Sequence, residues 1–149
     1  MDQRHGDTIA ENRRARFDYE IEDTYEAGIE LRGHEVKSAK GGAFQIAGAR
    51  ALVRGGEVWL VNAHLPPYQP KNAPPDYEED RARRLLLTRA EIKELTGVLN
   101  EKGRVLIPLR AYVKRGLIKV ELGVGRTRNK SDKRDVLKKK AHLREMRNA

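Results

Sequence analysis

At 149 residues, 38% of them hydrophobic, the chain is sized for one domain around a single core, and the absence of cysteine excludes disulfides, thiol nucleophiles and cysteine-based zinc sites. The formal net charge is +9, but residues 126–149 hold ten Lys/Arg against three acids, so +7 sits in that arm and +2 is spread over the other 125 residues. A near-neutral body with a cationic arm is built to meet a polyanion, nucleic acid first. The N-terminal stretch has no apolar segment of signal-peptide type, and no apolar run approaches the ~20 residues of a membrane helix, so a soluble cytoplasmic protein is expected. Val136, Leu137, Leu143 and Met146 make only a broken apolar stripe with no aromatic anchor, which argues against a membrane surface as the arm's target.

Phe17, Tyr19 and Ile21 alternate with Asp18, Glu20 and Glu22, and Ala27, Ile29 and Leu31 alternate with Gly28, Glu30 and Arg32. Period 2 predicts strand, with the phase broken at Glu22–Thr24 as a bulge would break it. A short helical turn is expected over Gly33–Lys40, ended by Gly41 and Gly42. Gly55 and Gly56 then predict a hairpin between Leu52–Val53 and Val58–Val61.

From His64 to Arg84 the pattern dissolves, and five of the six prolines fall there, so an irregular, mobile or functional connection is expected. Thr88 and Glu91 form a capping box, and Ile92, Leu95 and Leu99 recur at helical spacing until Gly103. Val105, Ile107 and Leu109, then Ile118, Val120, Leu122 and Val124, predict two strands around a Lys114–Gly116 turn. Beyond Gly125 no apolar face offsets the ordering entropy, so the arm is expected to be disordered when free. The expected fold is mainly β with flanking helices: a small closed antiparallel barrel of the oligonucleotide-binding type over residues 1–125, with a basic tail over 126–149.

Catalytic patterns are missing. His5, His34, His64 and His142 share no ligand spacing, Ser38 and Ser131 are the only serines and belong to no nucleophile elbow, and Gly123, Gly125 and Lys130 fail the phosphate-loop pattern because Asn129 precedes the lysine. No enzyme, metal or cofactor is expected.

A more specific signal lies in ordered motifs. Asn12–Arg16 (NRRAR), Asp18–Tyr19, Thr24–Ile29 (TYEAGI), Gly33–Ser38 (GHEVKS), Val58–Tyr68 (VWLVNAHLPPY), Arg83–Leu87 (RRLLL), Lys119–Gly123 (KVELG) and Asp132–Arg134 (DKR) follow one another along nearly the whole chain. This set resembles small protein B, the family of tmRNA-binding proteins of bacterial ribosome rescue. The resemblance implies a non-catalytic adaptor that binds the tRNA-like domain of tmRNA, assists its charging by alanyl-tRNA synthetase, and enters stalled ribosomes, with elongation factor Tu reached through the RNA. It also implies that the tail passes the decoding centre of the small subunit into the empty mRNA path and becomes helical there. A general RNA-binding barrel of the translation machinery is the alternative that charge alone supports.

By motif position, the resemblance puts Glu26, Leu86, Thr88 and Lys119 against the tRNA-like domain. Lys119 suits phosphate, Leu86 a sugar or unstacked base, and Glu26 and Thr88 base edges or 2′-hydroxyls. From the residues alone Leu86 fits core or interface equally, and Glu26 and Lys119 fit an ordinary strand surface. Arg13, Arg14, Arg16 and Lys37 add phosphate-facing charge, while Tyr19 and Tyr68 are open between stacking on a base and packing in the fold. In the arm, Arg126, Arg128, Lys130, Ser131, Asp132, Lys133, Arg134, Lys138, Lys139 and Arg144 are the candidate ribosome contacts. Ser131 departs from the aromatic or His common before Asp-Lys-Arg in the family. Either Arg128 or Lys130 supplies the stacking contact, or that contact is weaker in this chain.

Overall fold

In a computed structural model, which describes residues 7–69, 71, 73–128 and 130–148, the chain opens with a five-residue strand β1 (Asp7–Glu11) and a single helical turn α1 (Ala15–Asp18). The long strand β2 (Tyr19–Ile29), helix α2 (Gly33–Lys40) and strands β3 (Arg50–Arg54), β4 (Glu57–Val61) and β5 (Arg83–Leu86) follow. Helix α3 (Arg89–Leu99), strands β6 (Arg104–Lys114) and β7 (Leu117–Thr127), and helix α4 (Lys130–Asn148) complete the chain.

The described strands form one antiparallel sheet in the order β1-β6-β3-β4-β5-β2-β7, and a further pairing of β6 with β7 turns six of them into a ring, with β1 added outside on β6. The period-2 alternation of Ile118, Val120, Leu122 and Val124 puts all four in the core with Ala27, Leu60, Leu85 and Leu106. Leu95, on the apolar stripe of α3, is also completely buried there. A second, smaller cluster on the other side of β6 joins Ile107 and Leu109 to Ala15. That is why β6 is apolar on both faces: α1 covers the face that would otherwise meet water.

Local chemistry explains most boundaries. Thr88 accepts from the Glu91 amide at 3.2 Å while the Thr88 amide donates to Glu91 Oε1 at 3.0 Å, closing the capping box that starts α3. Gly55 and Gly56, with φ of 61° and 76°, and Arg115 and Gly116, with φ of 53° and 78°, supply the left-handed conformations that the two tight hairpins need. The expected bulge falls between Ile21 and Asp23. A second register shift follows Pro108, the one proline inside a strand, which has no amide to give the ladder.

Two expectations are corrected. Phe17 is not the start of a strand but part of α1, and β2 begins at Tyr19. The proline-rich connection is tied down rather than loose: His64 bridges Gln45, the Leu65 amide donates to the Glu79 carbonyl at 2.9 Å, and β5 begins inside it. Its anchor is Glu35 of α2, a fully buried carboxylate that accepts from Arg83 at 2.8 Å, Arg81 at 2.5 Å and Tyr77 at 3.1 Å. Of the arm, Lys130–Asn148 form a 19-residue helix, α4. Its composition explains this, since Lys, Leu, Ala, Arg, Glu and Met are strong helix formers and no Gly or Pro interrupts them. β7 runs on to Thr127, two residues past the expected end of the body.

Candidate nucleic-acid interface

Strand register brings together residues that are far apart in sequence. Leu86 of β5 lies opposite Gly28 of β2, Gly28 opposite Lys119 of β7, and Lys119 opposite Tyr112 of β6. One step along, Glu26 is opposite Glu121, and Glu121 opposite Arg110. Directly opposed residues share a face, and the neighbouring positions Ala27 and Val120 are the buried ones, so both rows lie on the outside of the ring. Leu86 is 45% exposed, which makes it a surface residue and not core. Gly28 provides the floor for it: a Cβ there would sit 3.3 Å from Leu86 Cβ. A shallow depression of about 270 Å³ separates Leu86 and Lys119 from Val36 of α2.

Glu26 projects beside this row with 39% of its side chain exposed. It accepts a hydrogen bond from the Tyr112 hydroxyl at Oε2, and Lys114 Nζ stands 3.3 Å from each of its oxygens. The Tyr112 hydrogen bond is the main cause of a carboxyl held below the usual range, with Lys114 and Lys119 adding to it against the effect of burial. Glu26, Tyr112 and Lys114 line a depression of about 400 Å³ together with Arg16, Arg110 and Glu121. It offers the Glu26 acceptor beside Arg16 and Lys114, with Arg110 paired to Glu121 at 3.4 Å, a surface suited to phosphates and base edges together.

The other sequence-predicted residues divide. Arg16 joins the Glu26 depression, and Arg13, its side chain 89% exposed, borders the adjoining one. Arg14 turns elsewhere: its guanidinium lies 4.8 Å from the Phe17 ring and 3.4 Å from Asp18. Tyr19 packs on the Ile107–Leu109 cluster and accepts from Arg50 at 2.8 Å, so it is engaged in the fold. The Thr88 hydroxyl is occupied by the α3 cap. Lys37 is exposed in the last turn of α2, and Tyr68 is 54% exposed.

In the arm, Arg126 still belongs to β7 and pairs with Glu20 at 2.7 Å. The Arg128 amide donates to the Asp18 carbonyl at 3.0 Å, and Lys133 Nζ reaches Asp18 at 3.2 Å while lying 5.7 Å from the Phe17 ring centre. Arg134, Lys138, Lys139 and Arg144 are exposed along α4. The side chains of Lys130, Ser131 and Asp132 lie outside the described residues, so the predicted contacts of these three have no structural counterpart here.

The model of the family described as SmpB protein matches residues 9–149. The chain belongs to the SmpB family. Among its relatives, the SsrA-binding protein of Nostoc punctiforme is 45% identical over 141 residues, covering 95% of this chain and 91% of the relative. Those of Gloeothece citriformis (43% over 151 residues, 100% and 97% covered) and Thermosynechococcus vestitus (45% over 149 residues, 97% of each) are as similar. A solved structure described as "tmRNA-SmpB: a journey to the center of the bacterial ribosome" shares 41% identity and a TM-score of 0.66, over 85% of this chain and 92% of that one.

For an SmpB protein, the sequence reading missed Arg110, Tyr112 and Lys114, which complete the Glu26 site. The signal was present: the three alternate on one face of the strand that leads into the expected Lys114–Gly116 turn. Among the described residues no group of three or more His, Asp or Glu is placed to hold a metal ion, and no helix is long and apolar enough to cross a membrane.

Proposed function

We propose that this protein is a tmRNA (SsrA RNA) adaptor of ribosome rescue that grips the tRNA-like domain with the outer face of β2, β5 and β7 and sends its cationic arm into the decoding centre and empty mRNA path. Membership of the SmpB family supports the partner. The observation that carries the site is the row Leu86–Gly28–Lys119 with Glu26 beside it, which joins an apolar contact, a cation and an acceptor on one surface. Chemistry on the RNA is not part of this reading; the protein acts in the cytoplasm as a binding partner. The ring of strand pairings supports a closed barrel of the oligonucleotide-binding type as the rigid body of the adaptor.

The arm fits a separate role. From Leu137 to Met146 every described side chain of α4 is exposed, with Leu137 and Leu143 at 53% and Met146 at 62%. A helix without a packed face is marginal in water, so α4 frays in the free protein and is completed by the polyanionic channel that receives it. The body spans residues 1–125 in this division and the tail 126–149.

The test compares binding to the tRNA-like domain and to an unrelated structured RNA at one fixed salt concentration. Strong preference for the former is expected. Lys119→Ala should lower that affinity and reduce the slope of log K against log salt by about one. Truncation before Asp132 should leave the affinity nearly intact and abolish tagging on stalled ribosomes. Equal affinity for both RNAs would establish instead a general RNA-binding protein, and equal loss of binding and tagging on truncation would refute the division between body and arm.

A further inference from the structure

We propose that Tyr112 is the positioning residue of the RNA interface, holding the Glu26 carboxylate in one orientation as a fixed acceptor for an N–H or O–H of the RNA. This rests on the reading that Glu26 faces the RNA. A carboxylate is an awkward group to present to a polyanion: it repels phosphates, accepts but does not donate, and swings on three rotatable bonds. Its use there is to accept from an amino or imino group of a base or from a 2′-hydroxyl, and that requires a defined direction. An exposed glutamate would lose its rotamer freedom only on binding, at a cost to affinity.

The structure removes that freedom beforehand. Tyr112 is only 3% exposed, and its ring is covered on one face by the Arg110 guanidinium at 4.1 Å. The strand carrying it is paired on both sides, with Thr8 opposite on β1 and Lys119 opposite on β7. Its hydroxyl is therefore a fixed donor, and it donates to Oε2 of Glu26. Burial raises the Tyr112 pKa further above its usual value, so the proton remains on the phenol across the working range. Lys114 approaches both oxygens from the exposed side at 3.3 Å. Tyr112 holds Oε2, whereas Oε1 is met by the half-exposed Lys114 ammonium, a mobile donor that a donor of the RNA can replace. The arrangement is pre-organised: one oxygen is fixed to the buried Tyr112, and the other stands beside an exposed lysine that can give way to the partner.

The test is a double-mutant cycle on the full-length protein and the tRNA-like domain, using Y112F, E26Q and the pair. Y112F keeps the ring and its packing, so its melting curve serves as the fold control. It is expected to weaken binding about five- to tenfold, and to have no further effect in the E26Q background.

The pH profile separates positioning from packing. Glu26 is faced by Arg110, Tyr112 and Lys114 of β6, Lys119 and Glu121 of β7, Tyr25 of its own strand and Arg16 of α1. Loss of the hydroxyl alone raises the Glu26 carboxyl pKa, so the fall of affinity on acidification should begin at a higher pH in Y112F. Wild-type binding by Y112F with weakened binding by E26Q would overturn the proposal and leave the interface standing. Unchanged binding by E26Q would remove both. Equal losses for Y112F with and without Glu26 would assign Tyr112 to the fold instead. If Y112F fails to fold, carboxyl-carbon NMR of the free wild-type protein decides: a Glu26 midpoint below that of the exposed glutamates supports the proposal, and an ordinary midpoint overturns it.

Discussion

Glu35 and Glu26 are built from the same parts, a carboxylate, a tyrosine hydroxyl and nearby cations, yet one belongs to the fold and the other to the surface. Glu35 is fully buried and saturated. Oε2 accepts from Arg83, Tyr77 and Arg81, and Oε1 from Arg81 and the Arg32 amide at 2.8 Å. Arg83, also fully buried, spends its remaining donors on the carbonyls of Ala63, Arg81 and Glu79. Glu26 is 39% exposed, with Oε2 held by Tyr112 and both oxygens beside the half-exposed Lys114. Unused hydrogen-bonding capacity, more than residue type, separates the binding carboxylate from the structural one.

The largest effect should come from breaking the saturated site. Glu35→Gln leaves Arg83 as a buried charge without a counter-ion, expected to cost about 3–5 kcal/mol in urea unfolding. Glu26→Gln, on the surface, should cost under about 1 kcal/mol. A reversal of these two values would dissolve the contrast. The same site makes an acid limb. Burial opposes the charge on Glu35, but Arg81, the Arg32 amide and Arg83 outweigh it and hold its pKa at about 2, against 4.5 for an ordinary glutamate. A depressed carboxyl stabilises the fold fully above the unfolded value and loses that contribution as pH falls through the folded one, so stability should drop between pH 4.5 and about 2. Acid titration of the melting temperature checks this, and the drop should flatten in Glu35→Gln.

A smaller effect is expected at the α3 cap. Thr88→Ala removes the oxygen that accepts from the Glu91 amide and should cost about 1 kcal/mol. The difference from wild type in RNA affinity then decides whether Thr88 does more than cap: a loss beyond that of a cap-preserving Thr88→Ser variant would give it a contact of its own.

These sites also mark how far the sequence could be read. α2, α3, both glycine turns and the bulge near Glu22 were legible because each is decided within a few residues, by a cap, a glycine or a change of phase. β5 was not. Arg83–Leu86 has no alternation of its own, and its place depends on an ion pair to Glu35, 48 residues earlier. α1 is one turn and β1 five residues, too short for a period to register. The binding row was legible only through family resemblance, since Leu86, Gly28 and Lys119 meet through strand register, which spacing along the chain does not encode. Tyr112 preceded the expected Lys114–Gly116 turn, but nothing along the chain pairs it with Glu26, 86 residues earlier.

Asp18 offers a third carboxylate and the smallest stability effect, because it holds the arm rather than the body. Its side chain joins Arg14 at 3.4 Å and Lys133 at 3.2 Å, all of them partly exposed, and such pairs contribute about 0–1 kcal/mol. Asp18→Ala should therefore leave the melting temperature nearly unchanged. The consequence should be local. Beyond Val136 the described side chains of α4 are exposed, and among the described residues the Lys133 contacts with Asp18 and the Phe17 ring tie its first turn to the body. Without Asp18 the amides of residues 133–146 should exchange faster, and added salt should narrow the gap between variant and wild type by screening the native pair. Exchange at the wild-type rate would mean that the Asp18 pair does not anchor the helix, and Phe17→Leu in the same assay would then test the aromatic ring.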